Sequence, residues 1–97
     1  MNISQVVRSA LKDRAPKLMA ELQSSGTLEE FIQDKASEIS SLTTSLAQRI
    51  AVNQGLNQAE GQKRAQIMDA AMQSAQEIVL AEQLEFPPEA TYQQNQD

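Results

Sequence analysis

Apolar residues in this chain recur every three or four positions, not every second one, and they do so in three successive runs. That spacing places them along one side of a helix and argues against half-buried strands. In the first run, residues 2–24, Ile3, Val6, Val7, Ala10 and Leu11 share a face, and Leu18, Met19 and Leu22 form a second cluster. Pro16 falls between the two. A proline inside a helix removes one backbone hydrogen bond and strikes the preceding turn, at a cost of ~3 kcal/mol. In the first turn of a new helix, with Asp13 as its N-cap, the same proline loses a donor that has no intrahelical acceptor anyway. The pattern therefore predicts two short helices, or one helix sharply kinked near residues 12–15.

The second run, residues 28–52, is the most regular. Leu28, Phe31, Ile32, Ile39, Leu42, Leu46 and Ile50 fall within roughly a 100° arc when successive residues turn by about 100°. The opposite face holds Ser37, Ser40, Ser41, Thr44 and Ser45, which are poor intrinsic helix formers. This helix depends on burying its stripe against another element.

The third run, residues 58–85, supplies that element. Ile67, Met68, Ala71, Met72, Ala75, Ile78 and Val79 occupy an arc of roughly 140°. Ala71 and Ala75 keep its middle flat, so that a neighbouring helix comes close. The intervening "VNQGLN" is short enough to turn the chain back and set the two helices antiparallel.

Helix ends carry their own signals. Asn2 with Gln5, Thr27 with Glu30, and Asn57 with Glu60 each match the capping-box pattern, in which the first side chain accepts from a free amide of the first turn. Gly26 and Gly55 stand where preceding helices need a left-handed residue to stop.

One part of the third helix fits this hairpin poorly. Leu80 and Leu84 project away from Ile67 and Ile78, among Gln66, Asp69 and Gln73, while Phe86 follows on the main stripe. The last turns are thus apolar nearly all round, which a surface helix is not. Either the N-terminal helix wraps that end or a second chain does; in the second case Leu80, Leu84 and Phe86, with Met72 as an adaptable side chain beside them, are the partner-binding residues. Beyond Pro87 the text "PPEATYQQNQD" is polar and aperiodic, so residues 87–97 read as a disordered tail behind one helical domain at 1–86.

Composition agrees with helices. Phe31, Phe86 and Tyr92 are the only aromatics, and there are thirteen alanines, so the core is small and aliphatic. Without Cys or His the chain has no thiolate or imidazole for the common zinc sites or nucleophile–base pairs. No stretch approaches the ~20 apolar residues that span a bilayer. The expected setting is soluble and cytoplasmic, with no cofactor and no membrane.

The net charge is −5, unevenly spread. Residues 1–26 carry a local +2 and residues 57–97 a local −5. Arg8, Lys12, Arg14 and Lys17 make a basic N-terminal set that could contact phosphates. Against this, the chain is acidic overall and short of aromatics for base stacking. Glu29, Glu30, Asp34 and Glu38 crowd the start of the second helix, where the helix dipole favours them without any catalytic task. No G-x-G-x-x-G, Walker or calcium-loop pattern occurs.

The resulting expectation is an all-α bundle on an antiparallel helical hairpin, with a broken N-terminal helix. Its function is non-enzymatic protein–protein interaction through helix faces, as an adaptor, assembly factor or inhibitor, in a homodimer. The alternative is a nucleic-acid-binding accessory protein using the basic N-terminal face.

Overall fold

The computed structural model of the chain describes residues 2–86. They form α1 (Ile3–Arg14), α2 (Pro16–Ser25), α3 (Leu28–Asn53), a 3-10 turn (Leu56–Gln58) and α4 (Gly61–Gln83). No strand occurs among the described residues. The architecture is the expected all-α one, with a broken N-terminal helix and a helical hairpin. The tail expected at 87–97 lies outside the described residues. Contacts divide the chain into two compact units, one of residues 2–37 with 84–86 and the other Glu38–Gln83.

In the first unit, α1 starts as its sequence signal predicts: the Gln5 amide donates to Asn2 Oδ1 at 3.3 Å. The break before α2 also falls where Pro16 requires it, but the hinge residue differs. Ala15, at φ −141° and ψ 58°, separates the helices, and Pro16 is the first residue of α2. Asp13 remains inside α1 and caps nothing. The proline ring bars the helical conformation at the residue immediately before it, so the chain leaves α1 at Ala15 and not two residues earlier. The Ala15 amide still donates to the Leu11 carbonyl at 2.9 Å, which closes α1 tightly.

α2 stops at Gly26, whose φ of 77° lies in the left-handed region that glycine adopts without penalty. Thr27 N then donates to Leu22 O at 3.0 Å, satisfying one of the carbonyls that a helix end leaves free. Thr27 opens α3, its carbonyl accepting from Phe31 N at 3.0 Å. The buried apolar side chains of this unit are Val7, Ala10, Leu11, Ala15, Leu28, Ile32 and Leu84.

The second unit is the hairpin. Its core joins Ala47 and Ala51 of α3 to Leu56 in the turn and to Ile67, Ala71 and Ala75 of α4, with Leu46, Ile50, Ala59 and Met68 packed around it. All four alanines are fully buried. This corrects the expected stripe on α3. The buried line of that half of the helix runs through Ile39, Thr43, Ala47 and Ala51, while Leu42 is 41% exposed and Leu46 and Ile50 are half-buried. The reason is steric: two helices approach to the short end of the 8–10 Å range only where side chains are small. Four alanines at four-residue spacing on facing helices provide such a seam, and the larger leucines are left beside it.

Thr43 lies on this buried line with 3% exposure, and its hydroxyl has no hydrogen-bond partner. The neighbouring Thr44 is exposed and donates to the Ser40 carbonyl at 3.0 Å.

The connection holds a second correction. Gly55 takes φ 93° and ends α3 as expected, but Asn57 does not cap α4. Asn57 lies in the 3-10 turn and α4 begins at Gly61. The turn seats Leu56 in the hairpin core at 3% exposure, and it is held by Gln58 N to Gly55 O and Ala59 N to Leu56 O, both 3.1 Å. Arg64 adds a bond from Nη1 to the Leu56 carbonyl at 2.9 Å. Burying Leu56 uses residues that the sequence signal assigned to the first turn of α4.

Candidate protein-binding surface

The four residues expected to bind a partner separate in the structure. Leu84 is only 3% exposed. It belongs to the core of the first unit, and Arg14 Nη1 donates to its carbonyl at 3.0 Å. A helix running to residue 85 projects Leu84 to the same outer side as Leu80. α4 ends at Gln83, and Leu84 belongs with residues 2–37, so the N-terminal segment covers this leucine within the chain. Leu80 and Phe86 are half-buried, and Met72 is 41% exposed.

Other large apolar side chains take the outward places: Leu42 at 41%, Val52 at 43% and Ile78 at 45% exposed. Leu42 and Ile78 were expected in the hairpin core. They lie beside the alanine seam, and a side chain of that size flanking a close helix contact is driven outward. Leu42, Leu46, Ile78 and Val79 line a groove between α3 and α4 of about 310 Å³, together with Arg49, Glu82 and Gln83. Met72 lies on the other flank of α4. It and Ile78 stand about 60° to either side of Ala75 when successive residues turn by ~100°. The hairpin thus presents apolar side chains on both sides of its seam.

The basic N-terminal set does not come together as a free cationic face. Arg8 Nη2 lies 2.9 Å from Glu29 Oε1 in an exposed ion pair. The hydrogen bond from Arg8 holds the Glu29 carboxyl below the usual carboxylate range, and the same bond raises Arg8 above its ordinary value. Arg14 is turned onto the Leu84 carbonyl. Lys12 and Lys17 are exposed. Arg8 and Arg14 therefore engage protein oxygens.

Among the described residues no group of three or more Asp or Glu side chains is placed to hold a metal ion, and no helix is long and apolar enough to cross a membrane. Comparison with protein-family models, with curated proteins and with solved structures returned no match.

Proposed function

We propose that this chain is a non-enzymatic protein-interaction module that self-associates and presents the faces of its α3–α4 hairpin to a protein partner, as an adaptor, an assembly factor or an inhibitor. The observation that carries this reading is the set of outward apolar side chains on a single small unit: Leu42 and Ile78 in the groove, Met72 on the opposite flank. Apolar groups gathered on a surface and edged by charge mark a contact site, because covering them removes hydrocarbon from water. The residues that support the reading differ from those first expected, since Leu84 is occupied within the chain and Met72 is retained.

Photo-cross-linking tests it in the cell that makes the protein. A benzophenone amino acid placed at position 72 or at position 78 is expected to yield covalent protein adducts. The same group at the exposed polar position Asp69 is expected to yield none. Adduct-free chains at both apolar positions would overturn the reading.

A further inference from the structure

We infer that the groove between α3 and α4 is covered by a second copy of this chain, docked about a two-fold axis so that Arg49 of each copy meets Glu82 of the other. This rests on the protein-interaction reading and specifies one of its partners and the surface used. The centre of the groove is apolar, formed by Leu42, Leu46, Ile78 and Val79. Its rim carries one cation, Arg49, and one anion, Glu82. Neither side chain makes an ion pair or hydrogen bond among the described residues.

The order of these charges is what selects the occupant. Arg49 lies seven residues beyond Leu42 along α3, about 10 Å at 1.5 Å per residue. α4 runs antiparallel to α3, so Glu82, near its end, lies toward the Leu42 end of the groove. The face is therefore positive toward one end, apolar in the middle and negative toward the other. Turned through a half rotation and laid on itself, such a face brings each cation over an anion while the apolar centres meet. An unrelated partner must carry the reverse order of charge by its own sequence, whereas a second copy supplies it by symmetry.

Close approach is open as well. Ala70, Ser74 and Ala81 lie beside Ile78 on the outer side of α4, within roughly an 80° arc, and all three are exposed. Small side chains there leave room for a second helix. The apolar centre supplies the attraction, and the two rim pairs fix register more than affinity. Docking of this kind leaves the Met72 flank open for a different protein.

Sedimentation equilibrium on the purified full chain tests the inference. The natural chain is expected to show a mass rising with concentration to twice that of one chain. Ile78→Glu is expected to remain monomeric with its helical circular dichroism unchanged, because the native side chain is already 45% exposed. Arg49→Glu and Glu82→Arg should each weaken association at least tenfold by placing like charges opposite one another. An equimolar mixture of those two variants should regain it, because each then offers the charge the other lacks. Both variants keep a net negative charge, so bulk attraction does not account for such recovery.

A natural chain that stays monomeric, a dimer indifferent to Ile78→Glu, or a mixture no stronger than its components would overturn the inference. A foreign protein cross-linked at position 72, together with any of these, would leave standing the part of the interaction reading that concerns a different protein partner and remove its self-association. Loss of adducts at both positions would remove that reading itself.

Discussion

Ala71 is the position at which the hairpin is most open to attack. It is fully buried in the seam that also contains Ala47, Ala51, Ala75 and Ile67. Leucine there adds three carbon atoms where no accessible surface exists. Helix propensity changes by only about 0.2 kcal/mol between alanine and leucine, so the substitution isolates packing. The seam around it combines Ala47, Ala51 and Ala75, which have no rotamers with which to make room, with Leu56 and Ile67. The added atoms must therefore push α3 and α4 apart, toward the wide end of the 8–10 Å range, and every other contact of the seam loosens with them. Overpacking of this kind costs about 1–3 kcal/mol, and the upper half of that range applies where the neighbours cannot move. For a chain of this length the melting temperature should fall by roughly 8–20 °C. The assay is thermal and urea unfolding followed by circular dichroism, with Ala65→Leu as the control. Ala65 lies on the same helix but is exposed, and the change there should stay within about 0.5 kcal/mol. Equal stability of Ala71→Leu and Ala65→Leu would refute the alanine seam.

Three further outcomes follow from single features of the structure. Thr43→Val removes a buried hydroxyl that lacks a partner and keeps the side-chain shape, so it should raise unfolding stability by about 1 kcal/mol in urea titration; a loss instead would mean that the hydroxyl is satisfied in solution. Leu84→Ala should cost about 2–4 kcal/mol while leaving the solution mass unaltered, since that side chain fills the chain's own core; a changed mass at constant stability would return it to a docking role. The Glu29 carboxyl, followed by NMR, should titrate with a midpoint below its ordinary 4.5, and Arg8→Met should bring it back to that value. Because the folded-state midpoint is depressed, the pair's contribution to stability is complete above about pH 4.5 and fades as pH falls through the lower, folded-state midpoint. An unchanged Glu29 midpoint in the Arg8→Met variant would show that the ion pair does not persist in solution.

Much of the fold is legible in the chain because it is written in strong local signals. The three runs of apolar residues, Pro16, Gly26, Gly55 and the Asn2 cap act within one or two turns, and each marks its element to within a few residues. What stayed hidden depends on contacts between distant residues. Hydrophobicity ranks Leu42 above Ala47, yet the seam takes the alanine, because the approach of a second helix rewards small size and a leucine would hold it off. The alanine pairs at 47 and 51 and at 71 and 75, each four apart on facing helices, were the available signal.

The proposed binding surface is less legible for the same reason. Its residues, Leu42 and Ile78, are those that a pattern of apolar spacing assigns to the interior. Leu84 is buried in the unit formed with residues 2–37, a contact between distant residues that helical spacing does not show. The Leu56 turn shows a third case: a capping signal at Asn57 yields where burying one leucine between two helices takes precedence.

The central claim is that α3 and α4 close on each other through alanine. The most direct measurement is a set of methyl–methyl nuclear Overhauser contacts in a sample labelled at alanine and isoleucine methyls. The account predicts cross-peaks from Ala47 and Ala51 to Ala71, Ala75 or Ile67, together with slow amide exchange along both sides of the seam. Absence of every such cross-peak, with the amides of residues 43–51 exchanging as in an open chain, would contradict it.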